Sequence, residues 1–219
     1  MNLKELRKIN LDETSKKIKE SFSKDLLIIR AIHNLDELIK VINKLMGSLR
    51  EWYSYYYPEL IRNIQTNEEI LDLILSNKKR NDSIGYDFNN EDLDLINNFA
   101  KSIKNLYSIK QEQENYIDRI IKEICPKLSK ITETLVIARL IEKAGSLKNL
   151  AQLPSSTIQV LGAETSFFKG LRNKKLPKFG VVFSSSIVVN AKKEDKSKIA
   201  RKLASKIALV ARQDYYGKH

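Results

Sequence analysis

The sequence predicts a mostly α fold, in which two long helices pair as an antiparallel intramolecular coiled coil and join a compact helical domain. Three observations lead there. Only 7 Gly and 4 Pro occur in 219 residues, which leaves few places for turns. Two long runs of apolar residues repeat at spacings of three and four, and each stops at a proline. The C-terminal part closes on an Ala/Lys/Arg-rich helix with one apolar face.

Residues 1–23 form a charged helical lead-in. From Ile28 the repeat runs through Ile32, Leu35, Ile39, Ile42, Met46, Leu49, Tyr53 and Tyr56 and stops at Pro58, which has no amide hydrogen to continue a helix. Residues from about 59 to 90 reverse the chain at a tip, with a short helix after Asn67-Glu68-Glu69-Ile70 and an exposed loop at Asn77-Lys78-Lys79-Arg80-Asn81-Asp82. The second run uses Ile96, Phe99, Ile103, Leu106, Lys110, Gln113, Ile117, Ile120 and Ile124 and ends before Pro126. The coiled-coil domain is thus 24–125, paired through Ile39, Ile42, Met46 and Leu49 of one helix and Leu106, Lys110, Gln113 and Ile117 of the other. Lys110 and Gln113 interrupt an apolar seam, so they fix the register, mark a splayed region, or signal a slip in the reading frame.

The character changes in the third domain, 126–219. Leu135, Val136, Ala138, Leu140 and Ile141 predict a helix ending at Ala144-Gly145, where glycine supplies a left-handed cap. Ser146 caps a short helix over Leu147 to Leu150, and Pro154-Ser155-Ser156 leads into a turn or helix with Ile158, Val160 and Leu161. The β-branched stretch from Phe179 to Val189 suits a strand pair or a buried extended loop. Lys198 to Arg212 reads as a helix with Ile199, Leu203, Ile207 and Val210 on its apolar face and cations on the other.

Charge is the strongest functional signal. From Thr165 to His219 there are 14 Lys and Arg against 3 Asp and Glu, while residues 1–164 carry 25 against 24. Nearly the whole net charge of +12 therefore lies in one compact segment, which suits a polyanion such as nucleic acid. A single Cys125 and two distant histidines, His33 and His219, give no disulfide and no zinc-ligand spacing. No cofactor is expected, since there is no glycine-rich nucleotide loop and no cluster of acid, base and nucleophile. No apolar run has transmembrane length and no signal-peptide core follows Met1, so an intracellular protein without a membrane partner is expected.

Several motifs in fixed order resemble one family. Ala144-Gly145-Ser146-Leu147, Leu150-Ala151, Pro154 through Glu164, Pro177-Lys178-Phe179-Gly180 and Lys198 through Lys206 resemble the Nop domain. Upstream, Leu49-Arg50-Glu51-Trp52-Tyr53, Pro58-Glu59-Leu60, Ser83-Ile84-Gly85, Asp92-Leu93 and Phe99-Ala100 resemble the coiled-coil region of the Nop scaffold proteins of box C/D ribonucleoproteins, so the likeness covers roughly residues 24–217. It implies a non-catalytic scaffold that grips a kink-turn guide RNA together with the small ribosomal-like protein bound to it. It also implies self-association through the coiled coil, and fibrillarin as the methyltransferase of a particle that performs guided ribose 2′-O-methylation. The family's N-terminal, fibrillarin-docking domain has no counterpart in the roughly two dozen residues before the coiled coil, which puts direct docking in question. Departures from the family pattern include Cys125-Pro126-Lys127, Thr132-Glu133, and Thr165 where a lysine is usual.

RNA is read through phosphates, 2′-hydroxyls and unpaired bases, because the A-form major groove is too narrow for side chains. The residues matching that need are Glu164, Thr165, Ser166, Lys169, Arg172, Lys174, Lys175, Lys178, Lys196, Lys198, Arg201 and Lys202. Ile158, Gln159, Phe167 and Phe168 are the expected contacts with the protein partner, the two phenylalanines suiting core packing ahead of base stacking. The bland readings are a solvated lysine loop at Lys192 to Lys198, an Arg212 that favours its helix terminus, and packing by Trp52 and Tyr53 to Tyr57. Competing functions are a Nop-domain component of a spliceosomal ribonucleoprotein, a coiled-coil interaction module, and an enzyme. An archaeal-type protein would be cytoplasmic and a eukaryotic one nucleolar.

Overall fold

The computed structural model describes residues 3–64, 66–76, 83–163 and 180–217. Helices α1 (Leu3–Ser21), α2 (Lys24–Tyr56), α3 (Pro58–Asn63), α4 (Asn67–Leu75) and α5 (Asn90–Ile124) are followed by a 3-10 turn, Leu128–Lys130. Then come α6 (Thr134–Ala144), α7 (Leu147–Gln152), α8 (Ser155–Val160), a second 3-10 turn at Val181–Ser184, α9 (Ser186–Val189) and α10 (Lys196–Tyr216). The fold is mostly α, and no strand occurs among the described residues. The chain forms two compact units, a central one from His33–Asn115 and a terminal one from Met1–Ile32 with Tyr116–His219.

The central unit has one apolar core. Ile42, Met46, Leu49 and Tyr53 of α2 cluster with Ile70, Leu71 and Ile74 of α4 and with Ile96, Ala100 and Ile103 of α5. Tyr56 stacks at 5.4 Å on Phe88, just before α5, and Trp52 meets Phe99 within α5 at 6.4 Å, so contacts retreat along α2 as the chain advances into α5. That is the antiparallel sense. Ile39 and Leu106 are half-buried, and Lys110 turns to Glu114 on its own helix at 3.6 Å. Gln113 leaves a buried Oε1 without a hydrogen-bond partner. Burial, reinforced by the neighbouring Tyr56 and Tyr57, pushes the Tyr53 hydroxyl up to about 12.

Local chemistry explains where these helices begin and how the tip closes. Asp92 N donates to Asn89 Oδ1 at 2.7 Å while Asn89 N reaches Asp92 Oδ2 at 3.4 Å, a reciprocal cap on α5. Thr66 caps α4, accepting from Glu69 N. Glu59 accepts from Ser83 Oγ at 2.6 Å and from Ile84 N at 3.0 Å, and Tyr86 N donates to Tyr55 O at 2.8 Å. Gly85 sits so close to the end of α2 that a Cβ there would lie 2.3 Å from Tyr56 O and 2.8 Å from Pro58 Cδ. The loop expected at Asn77 to Asp82 lies outside the described residues.

In the terminal unit α10 is the organising element. It packs chiefly against α8 and α7, through a face of Ala200, Leu203, Ala204, Ile207, Ala208 and Ala211. This face is rotated from the expected one: Ile199 and Val210 are only half-buried, and the alanines lie inside. Small side chains let helix backbones approach closely, and a pattern reading that weights large apolar residues misplaces such a face. Buried Asp214 accepts from Lys127 N at 3.2 Å and Leu128 N at 2.8 Å, satisfying the amides that open the first 3-10 turn. Asp25 accepts from Leu147 N at 3.1 Å and Ser146 Oγ from Asn149 N at 3.0 Å, so α7 starts with two of its free amides satisfied. Gly145 ends α6 at φ +83°.

The described part of the β-branched stretch corrects the expectation of a strand pair or extended loop. Val181–Ser184 is a 3-10 turn and Ser186–Val189 a single helical turn. Ser184 Oγ bonds locally, donating to Val181 O at 2.6 Å, whereas the Ser186 amide donates at 2.8 Å to Glu133, 53 residues away in sequence.

Two glycines separate packing from propensity. Gly85→Ala is expected to destabilise the protein by about 2 kcal/mol or more because the obstructing atoms are backbone. Gly47, mid-helix in α2 with nothing within 4 Å of a built Cβ, is expected to gain about 0.5–1 kcal/mol on conversion to Ala. Urea denaturation of the two variants checks both signs.

Candidate nucleic-acid interface

The cationic residues that can be placed stand on the first turns of α10. Lys198, Arg201 and Lys202 are exposed on the side opposite the alanine face, and Lys196 is half-buried at the helix start. Positions three and four apart share a helix face, so Lys198, Arg201 and Lys202 form one cationic patch. Among the described residues none of these four is paired with a carboxylate. The alanine packing therefore fixes which way this charge points.

Beside α10 the chain closes on itself across the most basic part of the sequence. Val181 N donates to Leu161 O at 2.8 Å, and Gly180 packs on the backbone at the end of α8. A Cβ on Gly180 would lie 2.6 Å from Leu161 O and 2.7 Å from Gln159 O, and one on Gly162, at φ +88°, would lie 2.5 Å from Val181 Cγ2. Two glycines thus hold Ala163 and Gly180, the described residues on either side of 164–179, near one place. Glu164, Thr165, Ser166, Phe167, Phe168, Lys169, Arg172, Lys174, Lys175 and Lys178 all lie outside the described residues. Of the expected partner contacts that remain, Gln159 is half-buried, whereas Ile158 is fully buried and belongs to the core beneath the surface.

Pattern reading missed three positioning residues. Arg212 Nε donates to Ala151 O at 3.0 Å, satisfying a carbonyl near the end of α7 where a helix-terminus role was the alternative. Asp214 carries no capping signal in the local sequence, yet it accepts from the Lys127 and Leu128 amides. Glu133 gathers the serine turn: Ser186 N donates to Oε1 at 2.8 Å, Ser186 Oγ donates to the same oxygen, and Ser185 Oγ and Thr132 Oγ1 reach Oε2 at 2.9 and 2.8 Å. Burial works to raise this carboxyl, but the bonds from Ser186, its own backbone amide and Thr132 outweigh it and hold Glu133 down at about 2, against an ordinary 4.5. The only signal in the sequence was the Thr132-Glu133 departure. No group of three His, Cys, Asp or Glu is placed to hold a metal among the described residues.

A protein-family model described as Nop, snoRNA binding domain, fibrillarin, matches residues 34–84 and 71–219. The chain belongs to the Nop family. An uncharacterized NOP5 family protein of Methanocaldococcus jannaschii is 35% identical over 94% of this chain and 56% of its own length. Nucleolar protein 58 of Eremothecium gossypii is 36% identical over 90% of the chain and 44% of its own. This Nop chain spans about half the length of these relatives. Among solved structures, the crystal structure of a fibrillarin/Nop5p complex contains a chain that matches with a TM-score of 0.57 at 25% identity, covering 99% of this chain and 71% of that one.

Gly180→Ala is expected to cost about 1–3 kcal/mol, because a main-chain carbonyl cannot step aside as a flexible side chain would. A thermal melt beside the wild type measures it. For Glu133 the sign follows from its lowered value: the stabilisation is complete above about 4.5 and is lost as pH falls toward 2. Glu133→Gln is expected to cost about 1 kcal/mol at neutral pH, allowing for solvent screening, and the gap between the two melting temperatures should shrink below pH 4.5. A gap that stays constant down to pH 2.5 would contradict this assignment.

Proposed function

We propose that this protein is a non-catalytic scaffold of a box C/D ribonucleoprotein, binding a kink-turn RNA jointly with the small ribosomal-like protein already seated on it. The observation that carries this reading is the patch of Lys198, Arg201 and Lys202, turned outward by the buried alanine face of α10. Family membership supports it, since the matching model is described as a snoRNA binding domain. Fibrillarin is the proposed enzyme of the particle, carrying out ribose 2′-O-methylation; the complex with Nop5p in the similar structure supports that partnership. The α2 and α5 pair is proposed as a coiled coil through which two copies associate. The proposed domain limits are 1–23, 24–125 and 126–219. The named relatives support a nucleolar location in a eukaryote, and a cytoplasmic one is proposed for an archaeal owner.

Protein and RNA share the platform in this reading, so naked RNA should bind weakly and the pre-formed complex of RNA with the small protein should be supershifted. A gel-shift titration at two salt concentrations tests it, and no supershift at either salt would overturn it. The combined Lys198→Ala, Arg201→Ala and Lys202→Ala variant is expected to bind the complex about tenfold or more weakly. Its salt slope should fall by about 0.9 for each phosphate contact removed. Lys175→Ala with Lys178→Ala should act in the same direction.

A further inference from the structure

The exposed side of α10 continues past the patch. Lys198, Lys202 and Lys206 follow one another at four-residue steps, about 6 Å apart along the helix at its usual rise. Beside Lys206 a shallow groove of about 630 Å³ is lined by Lys130, Ile131, Ser205, Lys206, Leu209 and Val210. Its two ionisable groups are both cations, and no carboxylate lines it. Its floor is apolar: Leu209 is 57% exposed, although a leucine at a surface position gains nothing by facing water. Ser205 Oγ donates its proton to Arg201 O at 3.0 Å, which leaves its lone pairs facing outward to accept.

We infer that this groove, between the Leu128–Lys130 turn and α10, is a subsite for an unpaired RNA strand leaving the kink-turn: Lys130 and Lys206 hold its phosphates while a base covers Leu209 and Ile131. The inference rests on the RNA-binding reading above and adds a strand and four residues to it. A duplex offers phosphates and riboses but keeps its base faces stacked, so it satisfies the lysines and leaves the apolar floor wet. An unpaired nucleotide presents both a phosphate and an uncovered base face, the chemistry that single-strand sites combine. Continuity with the row at Lys198 and Lys202, which the RNA-binding reading already assigns to RNA phosphates, makes the strand an extension of the same nucleic acid, whereas an acidic amphipathic peptide would compete with that RNA for the rim.

The test uses the full chain and a fluorescein-labelled oligouridylate of about ten nucleotides, followed by anisotropy at roughly 50 and 200 mM salt. Lys130→Ala with Lys206→Ala should weaken binding about tenfold and lower the salt slope by about 1.4, the single-strand value for two phosphates. Leu209→Ser should weaken binding severalfold with the slope unchanged, which loss of charge alone does not do. A charge-matched control, Lys16→Ala with Lys17→Ala on exposed α1, should stay within about twofold of wild type. All these side chains are exposed, and circular dichroism verifies the fold of each variant. Absence of oligouridylate binding, equal losses in the test and control pairs, or indifference to Leu209→Ser would each overturn the subsite. Binding of an acidic amphipathic peptide in place of the oligonucleotide would do the same. A blunt kink-turn complex should be supershifted equally by wild type and by the Lys130→Ala, Lys206→Ala variant. Failure of the wild type there, with the oligonucleotide results as expected, removes the kink-turn reading and leaves the subsite standing.

Discussion

The seating of α10 against α7 and α8 is the contact on which the rest of the terminal unit depends. Alanines at 200, 204, 208 and 211 make the approach close, and Leu203 and Ile207 fill the space beside them. A helix held on such a narrow face has little freedom to rotate, because turning it would lift several small contacts at once and bury lysines. The direction of Lys198, Arg201 and Lys202 is therefore a result of apolar packing on the opposite side. Two polar pins act at the far end of the helix: Arg212 satisfies a carbonyl near the end of α7, and Asp214 satisfies the amides of the turn after α5. Each removes an unmet hydrogen-bonding group that burial would otherwise make costly.

The same economy governs the approach to the basic segment. Gly162 and Gly180 contribute no side-chain contacts, yet their lack of a Cβ is what permits Leu161 O and Val181 N to meet at 2.8 Å. One of them also needs a positive φ; the other needs only space. Glu133 supplies the neighbouring constraint, replacing the strand ladder that β-branched residues would otherwise seek with a serine turn gathered on one carboxylate. The candidate interface is thus framed by a helix face, a glycine closure and a charged hub, each with a separate physical cause.

Much of this was legible in the sequence, and the failures have identifiable reasons. Both long helices ended at the prolines that predicted their ends, the tip helix and the Gly145 cap appeared where the punctuation placed them, and mostly α was right. The motifs Pro58-Glu59-Leu60 and Ser83-Ile84-Gly85 were recognised as family resemblance, but only the coordinates reveal that they are one unit, a carboxylate bonded to a serine and an amide 24 and 25 residues away. Val181 to Val189 misled because β propensity is a preference for half-buried pleated surfaces, and no second strand offers one among the described residues. Ile158 read as a partner contact and is core, since burial depends on neighbours that the sequence does not order.

What the sequence by itself determined was therefore whatever is local or summed: helix content from spacing and punctuation, family from ordered motifs, and the concentration of net positive charge in the last quarter of the chain. Tertiary structure alone decided which face of α10 turns inward, why Gly85 and Gly180 cannot carry a side chain, and that Glu133, Arg212 and Asp214 hold turns and helix ends far from them in sequence. The division has one physical cause. Periodicity and charge are properties of neighbouring residues along the chain, whereas a steric clash or a satisfied hydrogen bond exists only between atoms that folding brings within a few ångströms.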